Sequence, residues 1–298
     1  MRFLFVDRII ELSPGTVARG VKHVTRDDYY LSQDNEGAWC FIPSLIGETI
    51  GQLAAWNVMM SNAFTARPVA GIASCASLVR PVYVGETLVL EAHLDVLDET
   101  AVQYHGEARV GNEVVFRLDG ALGPLLPMTD FIDEAVVRRQ FDEINRPLLL
   151  PNDYGLTLAG SSPCVEPHAH APRMVFDQVT ESQPGVRLTA VKRITRAASY
   201  FPDHFPNKPV LPMTVLLECF LNLANEFITR AGFTQAYACR EMRRVKMSDF
   251  IFPGDVVVGM ITLKHQATHE LVLTCRSEVL GKRVGVLELV MALKGQSE

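Results

Sequence analysis

The run Phe5-Val6-Asp7-Arg8-Ile9, with Glu11 and Pro14-Gly15 behind it, returns as Val175-Phe176-Asp177-Gln178-Val179, with Glu181 and Pro184-Gly185. The two copies stand 170 positions apart, and the same offset carries Thr25-Arg26 onto Thr195-Arg196, Tyr30 onto Tyr200 and Glu48 onto Glu218. Val84-Gly85-Glu86 then falls on Pro253-Gly254-Asp255 at 169, one residue shorter. Self-similarity at a fixed offset marks duplicated structural units. The chain therefore reads as two homologous halves.

Each half follows one plan. A strand pattern at 16–25 or 186–195 leads through a turn-rich loop into a mostly apolar stretch, 44–62 or 214–229, long enough for a helix. Between Ser44 and Asn62 the only charged residue is Glu48, which predicts a helix buried nearly all round. Strand patterns follow at 69–81, 87–96, 101–110 and 113–122, and again at 236–247, 255–266, 270–279 and 283–293. In the second of these, Leu88, Leu90, Ala92 and Leu94 alternate. Gly111-Asn112 and Gly281-Lys282 are expected as tight hairpin turns. A buried helix beside an antiparallel sheet with one face to bury implies a sheet wrapped around the helix. The expected organisation is an N-terminal unit 1–122, a linker 123–173 and a C-terminal unit 174–298. The linker should hold a short helix capped by Thr129-Asp130 and running to Ile144, then a proline-rich extended connector. His168 and His170 in that connector have no acidic or sulfur partner spaced beside them, so they are read as solvated loop and no metal is assigned.

Composition narrows the function classes. The chain has 298 residues, 48% of them hydrophobic and 21% charged, which excludes disorder, collagen and coiled coil as the main architecture. A net charge of -6 argues against a nucleic-acid binder held by phosphate contacts. No run of about 18 apolar residues exists, and the N-terminal stretch is cut by Asp7 and Arg8, so neither a membrane span nor a signal peptide is expected and a cytoplasmic location is. The six cysteines are too sparse for a disulfide scaffold or a zinc ribbon and are read as reduced thiols.

The second half contains Asp203-His204-Phe205-Pro206-Asn207-Lys208-Pro209-Val210-Leu211-Pro212, followed by a helix whose Glu218 lies fourteen residues after His204. This resembles the β-hydroxyacyl-acyl carrier protein dehydratases, whose signature is H-F-P-x-x-P-x-x-P-G and then, fourteen residues after the His, an acid in E-x-x-x-Q. The Asp7-Arg8, Pro14-Gly15 and Val84-Gly85-Glu86 elements are similar to that family too, so the resemblance covers both halves. It implies an α+β double hot-dog fold: two antiparallel sheets, each wrapped around a long buried helix, paired as a pseudo-dimer. It also implies neither metal nor organic cofactor.

The chemistry needs one group to take the C2 proton of a 3-hydroxyacyl thioester and another to deliver a proton to the departing C3 hydroxyl. Histidine exchanges protons near neutral pH, and a carboxyl buried in an apolar helix can be raised far enough to donate. Helix N–H groups after Pro212 can polarise the thioester carbonyl. The family has Gly where this chain has Met213; the backbone N–H survives, and the side chain is expected to narrow the entrance.

The first half has Asp34 where the second has His204, yet its helix reads Glu48-Thr49-Ile50-Gly51-Gln52, a full match to E-x-x-x-Q, against Glu218-Cys219-Phe220-Leu221-Asn222. In family dimers the His of one protomer meets the acid of the other. The resemblance thus implies one composite site of His204, Glu48 and Gln52, with the Met213 N–H as carbonyl donor and Phe205 and Pro212 against the substrate. Asp34 and Glu218 would form a degenerate second site. Rival readings are a surface histidine, a helix-start cap at Glu48, a structural carboxylate at Glu218 and a turn at Asp34. Arg240, Arg244 and Lys246 alternate along one strand and are candidates for docking an acidic carrier, or equally a solvated strand face. The expected function is a 3-hydroxyacyl thioester dehydratase acting on acyl carrier protein or coenzyme A esters, with homo-oligomerisation open. The alternatives are a non-catalytic acyl-binding subunit and, more weakly, a thioesterase.

Overall fold

The computed structural model describes residues 3–26, 28–34, 37–147, 174–195, 198–233 and 236–293. The first half runs β1 (Arg8–Ser13), β2 (Val17–His23), β3 (Leu31–Gln33), β4 (Trp39–Phe41), α1 (Pro43–Ser61), β5 (Ala66–Pro68), β6 (Ile72–Leu78), β7 (Thr87–Leu97), β8 (Ala101–Val110) and β9 (Glu113–Pro127). A linker helix α2 (Glu134–Ile144) follows. The second half comprises β10 (Gln178–Gln183), β11 (Arg187–Arg193), α3 (Met213–Arg230), β12 (Tyr237–Met247), β13 (Val256–Gln266), β14 (Glu270–Val279) and β15 (Lys282–Leu293).

The strands join in the order β1-β2-β7-β8-β9-β6-β12-β15-β14-β13-β11-β10, with β5 paired to β9. Read from either end, that order is the same series of equivalent strands, as the duplication requires. The two half-sheets therefore meet edge to edge at β6 and β12, where Ala76 faces Met242 and Ala73 faces Val245 in antiparallel register. This covers two strand edges that would otherwise stay unpaired. The fold is the double hot-dog, its half-sheets fused into one.

Helix α1 packs on β2, β7, β8 and β9, and against α3. Leu45, Ile46, Ile50 and Leu53 are fully buried, as are Cys219, Phe220 and Ala224 of α3, in one core shared by both halves. The closeness of α1 to β8 depends on Gly106. A Cβ there would lie 2.6 Å from Ile50 Cγ2 and 2.5 Å from the Glu91 carbonyl oxygen. Asn57, also fully buried, accepts from the Gly15 N–H and donates to the Ser13 carbonyl, tying α1 to the β1–β2 turn. The repeated motifs outside the His loop prove to be turn and strand-end devices. The Asp7 carboxylate takes the His23 N–H and Asp177 takes the Arg193 N–H at the same 2.6 Å. Gly85 and Gly254 both hold φ at 98°, open only to a residue without Cβ strain.

Three expectations are corrected. β9 continues to Pro127, beyond the boundary placed at 122, because the chain bulges at Gly120 (φ 58°) and goes on pairing instead of stopping at Gly123-Pro124. The Thr129-Asp130 region forms a 3-10 turn, and α2 is capped by Asp133, whose carboxylate accepts the Ala135 N–H at 2.8 Å. The second hairpin turns at Leu280-Gly281, one residue earlier than read, with φ of 50° and 75°. His168, His170 and the connector beyond Pro147 lie outside the described residues. Among those described, no helix is long and apolar enough to cross a membrane.

Candidate active site

His204 sits in the loop between β11 and α3. Its backbone N–H donates to the Tyr200 carbonyl at 2.9 Å, and Nδ1 lies 3.1 Å from the Val210 carbonyl oxygen. A carbonyl can only accept, so Nδ1 carries the proton and Nε2 keeps a lone pair. The ring stacks on Phe205 with centroids 4.1 Å apart and meets the edge of Phe3 at 5.8 Å. Burial pushes the imidazole below its ordinary pKa; the Glu48 carboxylate opposes this, and the Arg67 guanidinium adds to it. This histidine rests neutral, as a proton acceptor must.

Glu48 reaches the same place from α1 of the other half. Its Oε2 accepts the Thr214 hydroxyl of α3 at 2.8 Å, and its Oε1 accepts Gln52 Nε2 at 3.0 Å. Gln52 in turn donates to the Phe3 carbonyl and accepts the Phe5 N–H, which locks its amide. Glu48 is thus oriented by one residue from each half.

Glu218, the pseudo-equivalent of Glu48, faces elsewhere. Its Oε2 accepts the Ser44 N–H in the first turn of α1 at 3.4 Å, and Oε1 lies 3.5 Å from Asn222 Nδ2. Burial raises its pKa. Asp34 shapes the β3–β4 turn, accepting the Ala38 N–H and the Tyr83 hydroxyl. Burial pushes up the Cys40 thiol, and the Asp34 and Glu218 carboxylates add to this.

A cavity of about 400 Å³ runs beside α1. His204, Phe205, Met213, Thr214, Glu48 and Gln52 line it; Glu218 and Asp34 do not. Its apolar walls include Ala54, Trp56, Met59 and Phe116, and linker residues Ile132 and Val137 also border it. Met213 opens α3, whose N-terminus has no side-chain cap, so its leading N–H groups stay available to an oxygen. Pro212, expected against substrate, is not on the cavity wall; it is the N-cap residue of α3 and fixes where the helix starts. Arg240 pairs with Glu270 at 2.6 Å and Arg244 with Glu288 at 3.2 Å. The simple alternation fails there, because a bulge puts Arg244 at φ 54°. Lys246 is exposed on the same strand.

Two site residues went unread in the sequence. Thr214 had a signal: ten positions after His204, it occupies the offset of Ser44. Arg67, a cavity-lining cation, had none, since an arginine before a proline reads as loop surface.

The ApeI-like family, described as ApeI dehydratase, matches residues 180–282. The chain is 30% identical over 133 residues to the 3-hydroxyacyl-[acyl-carrier-protein] dehydratase FabZ of Thiobacillus denitrificans, a match covering 43% of this chain and 91% of that protein. In structure it resembles the dehydratase domain of the polyketide PpsC from Mycobacterium tuberculosis, with a TM-score of 0.57, 14% identity and 98% of each chain covered. It likewise resembles a putative oleoyl thioesterase from Lactobacillus plantarum, with a TM-score of 0.58, 9% identity, and 95% and 100% covered. At such identities the two structures speak for the fold alone, whereas a FabZ relative matched over nearly its whole length speaks for descent. The chain belongs to the hot-dog dehydratase family and is a hydro-lyase of that kind, built as two fused hot-dog halves.

Proposed function

We propose that the protein removes water from 3-hydroxyacyl thioesters, carried on acyl carrier protein or coenzyme A, to give trans-2-enoyl thioesters at one composite site. The neutral His204 takes the C2 proton through Nε2. The thioester oxygen gathers charge and is met by the N–H of Met213 at the uncapped start of α3. Glu48, held by Thr214 and Gln52, delivers a proton to the C3 hydroxyl as it leaves as water. Proton return between the two groups resets the pair. Phe205 holds the imidazole plane, and the walls beside α1 take the acyl chain. On this reading 1–127 and 174–298 are the two hot-dog units, and the Asp34–Glu218 region is the remnant of a second site.

One observation carries the proposal: His204 and Glu48, from different halves, line the same cavity and the Glu48 carboxylate acts on the His204 imidazole, while Glu218 is tied to Ser44 away from it. The test is incubation of purified protein with a panel of 3-hydroxyacyl thioesters. Enoyl product supports dehydration. Free thiol without enoyl product indicates a thioesterase, and tight binding without turnover indicates an acyl-binding subunit.

A further inference from the structure

Arg67 lies on β5 and is half-buried, with the Nε of its guanidinium shut off from solvent. That group stands over the Phe205 ring at 3.8 Å and near the Phe131 ring at 5.7 Å. His204 stacks on Phe205 at 4.1 Å. Two groups cannot share one ring face at those separations, so His204 and Arg67 lie on opposite faces. The aromatic contacts fix the guanidinium plane and leave its edges, which carry the five N–H donors, for something else. Among the described residues nothing takes them. Nε is buried without a partner, and no hydrogen bond or ion pair reaches either Nη atom. The residue lines the cavity.

Burial pushes the guanidinium down to about 9, and Glu48 is the carboxylate that opposes this from a distance. The group stays charged at neutral pH. A guanidinium whose Nε–H is buried without an acceptor is costly to keep. The buried lysines among the described residues are partnered: Lys22 donates to Asp28 and to the His23 carbonyl, and Lys192 to the Val175 carbonyl.

We infer that Arg67 is a substrate-binding residue, whose free guanidinium edge takes an acceptor oxygen of the thioester substrate several bonds away from the reacting carbons. The inference rests on the reading of the cavity as the thioester site. The displacement along the substrate follows from the stack, since a whole aromatic ring separates the guanidinium from the imidazole that abstracts the proton. Two parts of such a substrate offer an oxygen at that remove: a polar or carboxylated acyl chain, and an amide of the pantetheine arm.

Calorimetric titration with three probes tests this and separates the sources. The probes are octanoyl-CoA, suberoyl-CoA (the same chain ending in a carboxylate) and the octanoyl thioester of N-acetylcysteamine, which lacks most of the pantetheine arm. Arg67→Met keeps the stacked bulk and removes the donors. It should weaken binding about tenfold to a hundredfold, as expected for losing a hydrogen bond to a charged group. Loss confined to suberoyl-CoA locates the acceptor on the acyl chain. Equal loss for both CoA esters, with the N-acetylcysteamine ester unaffected, locates it on the arm. Wild-type affinity for all three probes overturns the inference, and so does equal weakening of all three, which is what a distorted pocket gives. Arg67→Lys, which keeps a charge without the fork, should fall between wild type and Arg67→Met and serves if the methionine variant fails to fold. If wild type forms no enoyl product from 3-hydroxyoctanoyl-CoA, the dehydratase reading fails, while the calorimetric dependence on Arg67 stands or falls by itself.

Discussion

Thr214→Val removes one hydroxyl from a buried position and leaves its shape. That hydroxyl donates to Glu48 Oε2 at 2.8 Å across the join between the halves. A hydrogen bond to a neutral carboxylic acid contributes about 0.5–1.5 kcal/mol, and each 1.4 kcal/mol is about a factor of ten. Without it Glu48 keeps only Gln52 and gains freedom to swing off the line to the leaving hydroxyl. The kcat/KM for a 3-hydroxyacyl thioester should therefore fall about twofold to tenfold, mostly in kcat. Thr214→Ser should restore most of it, because the serine hydroxyl can reach the same oxygen. The pseudo-equivalent Ser44 gives a stability contrast. Its hydroxyl is buried near the Glu218 carboxyl but outside good hydrogen-bond geometry, so Ser44→Ala should lower the melting temperature less than Thr214→Val does. Steady-state kinetics with enoyl absorbance and thermal melts read both effects. Undiminished kcat in Thr214→Val, or no recovery in Thr214→Ser, would refute the claim that this contact orients the acid.

The neutral resting state of His204 sets a pH window. Its folded pKa is depressed below the ordinary 6.5, so the unfolded chain binds this proton more readily, and stability contributed here is lost as pH falls below about 6.5. The acidic limb of kcat/KM should lie below that pH and move upward in Arg67→Met, as the His204 ring resonances followed by NMR should also do; a limb above about pH 7 in wild type would contradict the assignment. Gly106→Ala places a methyl group against Glu91 and Ile50 and should cost about 1–3 kcal/mol, read by chemical denaturation; a variant as stable as wild type would mean that α1 can rise off β8 freely.

The duplication made most of the architecture readable, because each half checks the other. β8 and β14 match the strand ranges read from the repeated pattern. Shorter strands escaped: β10 is largely exposed along its length and shows no alternation to detect, and β3 and β4 have three residues each. The β6–β12 junction had no local signal, since pairing between strands more than 150 positions apart is set by tertiary closure. Within the site, His204 and Glu48 stood out because their residue types are rare in those settings. Thr214 looked like an ordinary helix-start residue, and its partner is visible only when the two helices are brought side by side. Arg67 depends on two aromatic rings brought to it from positions 131 and 205, which no spacing rule reports.

The composite site is tested most directly by comparing two carboxylates at equivalent positions of the repeat. Initial rates of enoyl formation from one 3-hydroxyacyl thioester are measured for wild type, His204→Ala, Glu48→Gln and Glu218→Gln, with melts to confirm folding. Losses on the order of a hundredfold or more are expected for both His204→Ala and Glu48→Gln, and a change of less than about threefold for Glu218→Gln, whose amide oxygen can still accept the Ser44 N–H. A folded Glu48→Gln with near wild-type turnover, or Glu218→Gln as the inactive variant, would contradict the composite site.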